Sequence, residues 1–380
     1  MSRKPVVLFY HAHFFNDSET FIYQQARNPH IITLLLSKRF FNDDKFDFSG
    51  LGKFRFKRSL WDGLLSNLVS VIGIDRYYFG SSVNNMERMF RDQPFDVLHA
   101  QFGFSAVRIL PLARQMKKPL VVSFHGFDAS RLLRKRSYRL ALQKVFDYAS
   151  AIVICNPLMA EALPLKSDQL PKVHWVPYGI DLNRFTRSAR AQADKVHLLH
   201  VGRLIEKKGV PDLVKVFLDL RKKYDWIELH VVGNGPDEGE CRRLAQTPGY
   251  ENAVIFHGWK APGEVKQLME ESHIFVLNSR VASDGDQEGL PNGILEAMAM
   301  EMAVVSTRHA GIPEAIQHRQ EGLLVQERDN EALGTAIEEL ILQPDLRLKM
   351  GVAARKKVQG KFTAEAMHLR LADIYRSVTR

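Results

Sequence analysis

The chain has 380 residues, of which 45% are hydrophobic and 25% charged, and its formal net charge is +10. This length suits two domains, because a single core stops growing near about 250–300 residues, and the composition is that of an ordinary globular protein, for which disorder is not the default. No apolar run approaches the roughly 20 residues of a membrane-spanning helix. The two cysteines, Cys155 and Cys241, have no metal-type spacing, which disfavours a disulfide framework or a zinc site and predicts a cytoplasmic protein.

Six short apolar runs in the first half of the chain predict strands. The first of them, Val6–Tyr10, is too short for the core of a signal peptide. Segments of helical period, such as Phe104–Met116 and Ser137–Ala149, fall between the runs. The other five predicted strands are Ile31–Leu36, Asp96–Ala100, Leu120–His125, Ala151–Cys155 and Lys172–Pro177.

Six further apolar runs predict a second sheet: Val196–Val201, Ile227–Val232, Ala253–His257, Ile274–Leu277, Ala303–Ser306 and Leu323–Val325. Continuous apolar strands that alternate with helices are typical of parallel sheets covered on both faces. We therefore predict an α/β protein of two doubly wound, Rossmann-like domains that face a cleft. The predicted domains are residues 1–185 and 186–362, divided in the polar stretch Asn183–Lys195, and a last helix over 363–380 could pack back on the first domain.

The positive charge is concentrated in the first half, where residues 1–190 hold 28 Lys and Arg against 15 Asp and Glu. Two clusters stand out, Lys53–Arg58 and Arg131–Arg136. They are typical of a solvated surface, but interleaved Phe and Leu also fit an anionic membrane surface or a phosphate-bearing acceptor. No recognised nucleic-acid-binding module accompanies them, so we predict no nucleic-acid partner.

Two turns follow the first strands of the second half, and ligands of open parallel sheets bind at the carboxyl ends of strands. The segment GRLIEKKG (202–209) begins with a glycine that permits a tight exit from the strand. Arg203 can then offer a planar fork, and Lys208 a point charge, to a diphosphate. The next strand ends in GNGP (233–236), another turn that allows close approach. Taken alone, each of the two segments is more typical of a surface loop or a turn. Only together do they predict a diphosphate-binding site.

A third segment, EGLPNGILEAMA, runs from residue 288 to residue 299. We expect Asn292 to cap a helix reaching to about Met302, whose free N–H groups and partial positive charge attract a phosphate. Glu288 lies before this helix. Glu296 lies about one turn inside it, where a carboxylate can accept both hydroxyls of a ribose. Taken alone, the two glutamates are more typical of a loop surface and of a first helical turn.

The first half offers candidates of its own. His125 stands at the carboxyl end of a predicted strand, in HGFD (125–128), where the adjacent glycine permits close approach of a ligand. Ser18, Glu19 and Thr20 either open the first helix and touch a phosphate of the donor or acceptor, or are only a helix-start signal. Asp128 is a further candidate acceptor contact.

The segments GRLIEKKG, GNGP, FHGW (256–259) and EGLPNGILEAMAMEMAVVSTRHAGIPE (288–314) together resemble the donor domain of the family 4 retaining glycosyltransferases, which have the GT-B fold. The signature of that family is a pair of glutamates separated by seven residues, here Glu288 and Glu296. The resemblance covers about residues 180–360. HGFD, SDGDQEG (283–289) and SETF (18–21) are similar to its exopolysaccharide branch, such as colanic-acid and amylovoran glycosyltransferases.

The resemblance implies a role for each segment. Arg203 and Lys208 would hold the donor diphosphate and stabilise the leaving group without a divalent metal or other cofactor. Glu296 would hold the ribose, Glu288 would contact the transferred sugar, and His125 would approach that sugar from the other domain, so that His125, Arg203, Lys208 and Glu288 are the implied catalytic residues. The implied donor-binding residues are Gly202, Arg203, Lys208, Gly233, Asn234, His257, Trp259, Glu288, Leu290, Pro291, Asn292, Gly293 and Glu296.

The implied function is that of a retaining glycosyltransferase acting in exopolysaccharide synthesis. It would move a sugar from a nucleotide-sugar, with UDP favoured over GDP, to a saccharide or a polyprenyl-diphosphate-linked glycan. It would work in the cytoplasm, with peripheral contact to the inner face of an anionic membrane. Two alternatives stay open: a nucleotide-sugar epimerase of similar fold, and a non-catalytic protein that binds nucleotide-sugars or glycans.

Overall fold

The computed structural model describes residues 3–15, 19–41, 46–57, 80–187, 194–250 and 252–379. The chain divides into two compact units, Met1–Gly179 with Ala364–Arg380, and Ile180–Thr363. Each unit has its own parallel sheet, so the predicted class of two doubly wound α/β domains is confirmed. The division lies before the polar stretch in which we predicted it, because the Ile180 N–H donates to the Phe362 carbonyl and joins that residue to the second unit.

The first unit is built on seven parallel strands and a separate two-stranded pair. Its strands are β1 Val6–Tyr10, β2 His13–Phe14, β3 Ile32–Ser37, β4 Arg39–Phe40, β5 Gly52–Arg55, β6 Val97–Gln101, β7 Leu120–Phe124, β8 Ala151–Ile154 and β9 Val173–Trp175. The main sheet has the order β5-β3-β1-β6-β7-β8-β9, and β2 pairs with β4. The helices are α1 Thr20–Ala26, α2 Gly80–Met89, α3 Gly103–Gln115, α4 Arg136–Tyr148 and α5 Leu158–Ala162.

Strand β5 coincides with the first basic cluster, where we predicted no strand. Lys53 and Arg55 are exposed, whereas the ring of Phe54 packs 4.9 Å from that of Phe90. Phe56, which follows the strand, is only 3% exposed. Phe56 is therefore a core residue and Phe54 is half-buried against Phe90, which does not fit the expectation that these rings enter lipid headgroups. Arg58, the last residue of the cluster, lies outside the described residues.

The second unit contains six parallel strands. They are β10 Val196–Val201, β11 Ile227–Val232, β12 Val254–Gly258, β13 Ile274–Leu277, β14 Ala303–Thr307 and β15 Gly322–Val325. Their order, β12-β11-β10-β13-β14-β15, is that of dinucleotide-binding doubly wound sheets, with the topological switch point between β10 and β13. The helices are α6 Val210–Arg221, α7 Glu238–Ala245, α8 Pro262–Glu271, α9 Asn292–Ala299, α10 Ile312–Ala315, α11 Asn330–Leu342 and α12 Pro344–Lys361.

Helix α9 differs at both ends from its prediction. Pro291 is the N-cap and no side chain caps the helix, so the predicted capping role of Asn292 is wrong. The helix ends at Ala299 because Glu301 adopts a left-handed conformation, with φ of 56°, and the Met302 N–H turns back to the Ala297 carbonyl. The predicted end at Met302 is therefore three residues too late.

The last helix, α13 (Ala364–Val378), belongs to the first unit. The hydroxyl of Tyr375 lies 2.7 Å from Nδ1 of the buried His99, which is on β6. Nδ2 of Asn28 donates to the carbonyl of His368 at 2.8 Å. These bonds attach the end of the chain to the first sheet. Among the described residues, no helix combines the length and the apolar character that crossing a bilayer requires.

Candidate functional site

Two loops meet at the switch point of the second sheet, one after β10 and one after β13. Three successive residues of a short 3-10 helix, Glu206–Lys208, each bind the second loop. Glu206 accepts hydrogen bonds from the Ser283 N–H and hydroxyl at 2.8 and 2.7 Å. Nζ of Lys207 lies 3.2 Å from Oδ2 of Asp286, and Nζ of Lys208 lies 2.8 Å from Oε1 of Glu288. These bonds fix the two loops to each other.

The Lys208–Glu288 pair is the most enclosed of these contacts, since the two side chains are 12% and 10% exposed. Burial opposes ionisation of Glu288, but the charges of Lys208 and Lys207 outweigh it and lower the pKa of Glu288 to about 2. The Glu288 N–H donates to Nε2 of His309, whose Nδ1 lies 2.6 Å from a Glu327 carboxylate oxygen. The site therefore holds a preformed carboxylate at neutral pH, in contact with the Lys208 side chain. His309 was not predicted, because its contact with Glu288 spans 21 residues.

Arg203 is the free cation of this region. Its side chain is exposed, and within the described part of the chain it forms no hydrogen bond or ion pair. Its backbone is held from both sides, since the Leu204 N–H donates to the Asn234 carbonyl and the Gly202 N–H donates to the Val232 carbonyl. A fixed backbone with a free guanidinium suits an anionic ligand.

The glycines of the GNGP turn allow it to pack directly on this loop. A Cβ on Gly233 would lie 1.9 Å from the Gly202 oxygen, and one on Gly235 would lie 2.1 Å from the Leu204 oxygen. Gly233 also has φ of 131°, which a side chain disfavours. The side chain of Asn234 is exposed beside them. Both glycines are thus required for the shape of the site.

The amino end of α9 packs against the carboxyl end of β10. A Cβ on Gly293 would lie 3.3 Å from Cζ of Phe275 and 3.5 Å from the Val201 carbonyl oxygen, so the start of the helix packs closely on these two residues. Leu290 and Pro291, which lead into the helix, are buried. The amino end of α9 therefore lies next to the end of β10, which leads into the loop that carries Arg203.

Glu296 lies one turn further along α9, on the same face as Asn292. It is half-buried, and burial raises its pKa to about 7, against the charge of Arg184. Within the described residues no hydrogen bond or ion pair joins it to Arg203 or Lys208. The structure thus brings Lys208 and Glu288 into contact at the loop that also carries Arg203, and Glu296 takes no part in that contact.

Three buried polar atoms around the switch point have no hydrogen-bond partner: Nε2 of His200, Oδ1 of Asn278 and Oδ1 of Asn292. The described residues contain seven such atoms in all, so almost half of them lie here. Each costs about 1–3 kcal/mol, which marks a place where a ligand or water is expected. His200 and Asn278 were not predicted, although a polar residue at the end of an apolar strand is a signal that could have identified them.

The predicted base-binding residues lie at the end of β12, beside the GNGP turn. The Gly233 N–H donates to the Gly258 carbonyl at 2.8 Å. Nε2 of His257 lies 3.0 Å from Nδ1 of His230, and Trp259 is 40% exposed. The partly exposed indole of Trp259 thus lies next to this turn.

In the first unit, His125 is enclosed by hydrogen bonds. Its Nδ1 lies 2.9 Å from the hydroxyl of Tyr178, and its Nε2 lies 2.8 Å from Oε1 of Gln101. Burial lowers the pKa of His125 well below its usual value, and the charges of His99 and His11 add to this effect. The imidazole is therefore neutral, which suits a hydrogen-bonding role.

Asp128 does not fit its predicted role as an acceptor contact. Its side chain is fully buried and accepts the N–H groups of Gly103, His125 and Gly126 at 2.9, 2.9 and 3.1 Å. Burial raises its pKa to about 6, and those backbone hydrogen bonds lower it. Asp128 instead holds the turn that positions His125.

The predicted phosphate contact at the first helix is not supported at Glu19. Its carboxylate lies 3.5 Å from Nε2 of His11, both side chains are buried, and Nδ1 of His11 lies 2.9 Å from the Ser105 hydroxyl. A buried carboxylate disfavours a phosphate beside it. Thr20 is the first residue of α1 and is half-buried, and Ser18 lies outside the described residues.

Known proteins resemble this chain over both units. Residues 183–357 match the family model of glycosyl transferases group 1, and residues 68–184 match that of glycosyltransferase family 4. A colanic acid biosynthesis glycosyltransferase of Salmonella typhimurium, WcaL, is 30% identical over 292 residues, which are 75% of this chain and 72% of the relative. An amylovoran biosynthesis glycosyltransferase of Erwinia amylovora, AmsK, is 29% identical over 287 residues, or 74% of this chain and 70% of that protein.

The same likeness extends to a solved structure. Anabaena HepE in complex with UDP and glucose is similar with a TM-score of 0.79 at 18% identity, over 98% of this chain and 100% of its own. The fold is therefore the GT-B fold of two doubly wound domains. The chain belongs to the group 1 and family 4 glycosyltransferases, as its motifs predict.

Proposed function

We propose that this protein is a retaining glycosyltransferase that takes its sugar from a UDP-sugar and adds it to a saccharide or lipid-linked saccharide in exopolysaccharide assembly. The observation that carries the proposal is the enclosed Lys208–Glu288 pair beside the free Arg203, at the switch point of a doubly wound sheet. HepE, whose structure contains UDP and glucose, supports the nucleotide. The colanic acid and amylovoran relatives support the pathway.

The residues that stabilise the departing diphosphate are expected to contribute most to the rate of transfer. When the bond between the sugar and the diphosphate breaks, negative charge grows on the phosphate oxygen that departs. Arg203 and Lys208 offset this charge, and the free N–H groups of α9 add a partial positive charge. Since these groups do what a divalent ion does in other phosphate-handling sites, we propose that transfer needs no metal.

Glu288 acts as an acceptor of hydrogen bonds, because its low pKa keeps it ionised. A diphosphate competes for Lys208 and frees a Glu288 oxygen to accept a hydroxyl of the donor sugar. The acceptor hydroxyl attacks the anomeric carbon on the face from which the diphosphate leaves. Its proton passes to the departing phosphate oxygen, so the new glycosidic bond keeps the donor configuration.

Other residues of the second unit bind the ribose and the base of the donor. Glu296 accepts the ribose hydroxyls, and His257 and Trp259 border the base, while the close packing of Gly233 leaves room for the nucleotide. In the first unit, the neutral His125 hydrogen-bonds to a substrate hydroxyl in exchange for Gln101 or Tyr178.

Charge removal tests the donor site. We expect Arg203→Ala and Lys208→Ala each to lower kcat/KM about 10²–10³-fold, the usual cost of losing a group that stabilises a leaving oxygen. Lys215→Ala is the matched control, because this lysine is half exposed and pairs only with Asp212, one turn away on α6. EDTA should leave the wild-type rate unchanged. Wild-type rates in both folded variants would exclude this site.

A panel of UDP- and GDP-sugars tests the reaction itself. The expected result is transfer from a UDP-sugar to a saccharide acceptor, with the anomeric configuration of the product, read by NMR, equal to that of the donor. Donor that is converted to an altered free sugar without any acceptor would indicate an epimerase. UDP binding without transfer or hydrolysis would indicate a binding protein.

We also propose peripheral contact with an anionic membrane through the second basic cluster, where Lys135 and Arg136 are exposed at the start of α4. Each basic residue near such a surface contributes about 1 kcal/mol, so Lys135→Glu with Arg136→Glu should weaken sedimentation with phosphatidylserine vesicles about 30-fold or more. Glutamate at a helix start is favourable, so the fold should tolerate both changes. Lys349→Glu with Lys356→Glu, two exposed lysines of α12, is the control. Equal binding to anionic and neutral vesicles would contradict the proposal.

A further inference from the structure

Three potential metal ligands share one face of the second sheet. His197 of β10 and Glu228 of β11 are register partners, and His230 follows Glu228 by two positions on β11. Because side chains alternate along a strand, all three point to the same face. Their neighbours Leu198 and Leu229 point the other way, into the apolar core.

The ligand atoms of this cluster are close enough to surround one ion. Nε2 of His197 lies 3.5 Å, and Nε2 of His230 lies 3.8 Å, from Oε2 of Glu228. One ligand atom from each of the three residues lies within 4.8 Å of the others. A tetrahedral site with bonds of about 2.0–2.1 Å places its ligand atoms roughly 3.3 Å apart, so small side-chain adjustments suffice. The side chains of His197, Glu228 and His230 are 21%, 19% and 14% exposed, which leaves the cluster accessible to an aqueous ion.

In one of its two tautomers, His230 has the hydrogen bonding that a metal-binding histidine needs. Its Nε2 is buried and has no hydrogen-bond partner among the residues that the structure describes, whereas its Nδ1 lies 3.0 Å from Nε2 of His257. When Nδ1 donates its proton to His257, Nε2 presents a lone pair towards the Glu228 carboxylate. Two electron-rich groups that face each other without a proton between them are stabilised by a cation. An outer hydrogen bond of this kind orients the metal-binding histidines of known sites.

Glu228 has a second oxygen that is free for the ion. Its Oε1 is paired with Nζ of Lys195 at 2.5 Å, and its Oε2 is the atom that faces the two histidines. The Lys195 side chain is half exposed, so it can move aside without loss of buried contacts.

We propose that His197, Glu228 and His230 bind one divalent transition-metal ion of the zinc class, with water as the fourth ligand. Two imidazoles and one carboxylate suit zinc and its neighbours, whereas magnesium and calcium prefer oxygen ligands throughout. His197 lies on the amino half of β10, five residues or about 16 Å before Gly202, and His230 lies on β11, three residues or about 10 Å before Gly233. The ion therefore does not contact the diphosphate, although His257 connects it to the proposed base-binding region.

Direct titration tests the proposal. Tag-free protein is treated with EDTA, desalted into a non-chelating buffer and titrated with Zn²⁺ by calorimetry. The wild type should bind one ion per chain, and His197→Ala and Glu228→Gln should each bind more than about 100-fold more weakly. His257→Ala removes only the outer hydrogen bond and should cost about 10–100-fold. His174→Ala, which changes a half-buried histidine of β9 in the other unit, should bind as the wild type does.

A spectroscopic measurement separates a site from non-specific binding. Co²⁺ in a four-coordinate site absorbs visible light strongly, so the wild type should show this absorption and His197→Ala should lose it. Thermal unfolding in EDTA must show that each variant is folded. A wild type without a stoichiometric ion, or Zn²⁺ binding that is unchanged in both His197→Ala and Glu228→Gln, would overturn the proposal.

Discussion

Glu288 and Glu296 carry the same side chain, yet their surroundings shift their pKa values in opposite directions. Burial disfavours the charged form of both. At Glu288 the ammonium groups of Lys208 and Lys207 outweigh burial and the pKa falls to about 2, whereas at Glu296 the charge of Arg184 does not, and the pKa rises to about 7. One carboxylate is thus a permanent anion, and the other titrates near neutral pH.

The raised pKa of Glu296 predicts a pH-dependent stability. Between its usual value of 4.5 and about 7, the folded protein binds more protons than the unfolded chain, so this group makes the protein less stable as pH rises through that window. Glutamine resembles the protonated form and removes the effect. We expect Glu296→Gln to be more stable than the wild type by about 1–2 kcal/mol at pH 8, with the difference shrinking towards pH 5. Urea denaturation at a series of pH values measures this.

The control is Glu331→Gln, which changes an exposed glutamate of α11 and should keep the wild-type pH dependence. Glu296→Gln should also bind UDP about 10–100-fold more weakly, because the ribose hydroxyls lose a charged acceptor. Wild-type and Glu296→Gln curves that run parallel from pH 5 to pH 8 would contradict the assigned pKa.

The turns between elements carry the site, and their glycines allow them to pack. The GNGP turn sits so close to the loop after β10 that a methyl group on Gly233 would overlap the Gly202 carbonyl. Neither turn could move away alone, since the Leu204 N–H is bonded to the Asn234 carbonyl. The shape of the donor site is therefore coupled to the stability of the second unit.

A pair of alanine substitutions tests this coupling. Gly233→Ala should lower the free energy of unfolding by more than about 2 kcal/mol and abolish UDP binding, because the side chain meets backbone at a φ of 131°. Gly239→Ala is the matched control: no atom lies within 4 Å of the added methyl group, and the residue is in α7. It should leave UDP binding unchanged and stabilise the protein by about 0.5–1 kcal/mol. Equal effects of the two substitutions would show that packing at Gly233 is unimportant.

In the molecule as a whole, the last helix of the chain, α13, belongs to the first unit and not to the second unit that precedes it in sequence. Helix α13 places Tyr375 against the buried His99, and Nε2 of that histidine lies 2.7 Å from the Ser123 hydroxyl. Burial lowers the pKa of His99 to about 3, so it is a neutral ring held by two hydroxyl groups. The last residues thus complete the hydrogen bonding inside a sheet that is formed by the first half of the chain.

Tyr375→Phe tests this attachment. It leaves a nitrogen of His99 without its partner, so we expect a loss of about 1–3 kcal/mol from the stability of the first unit. Hydrogen exchange of the β6 backbone should become faster, while that of β10 should not change. Arg376→Ala, which removes an exposed pair with Asp373 within α13, should alter stability by less than about 0.5 kcal/mol. Unchanged exchange at β6 in Tyr375→Phe would show that the helix contributes little.

The periodicity of apolar residues was enough to predict most of the sheet architecture. Strands β1, β10, β11 and β13 have the predicted bounds. Strands β1 and β13 are continuous apolar runs that are buried throughout, whereas β10 and β11 also carry half-buried polar residues on one face. Strand β5 escaped prediction because it lies at a sheet edge, where Lys53 and Arg55 alternate with inward-facing phenylalanine. The donor loops were predictable because parallel strands direct their carboxyl ends to one edge.

Pairings between distant residues needed the tertiary structure. The Lys208–Glu288 bond spans 80 positions of the sequence. The cluster of His197, Glu228 and His230 depends on the register of two strands. Asp128 accepts hydrogen bonds from backbone N–H groups, and no sequence motif indicates these partners. Strands, helices and turns depend on residues that are close together in the chain, so the sequence predicts them. Charge states, hydrogen-bond partners and ligand clusters depend on distances that only the folded chain sets.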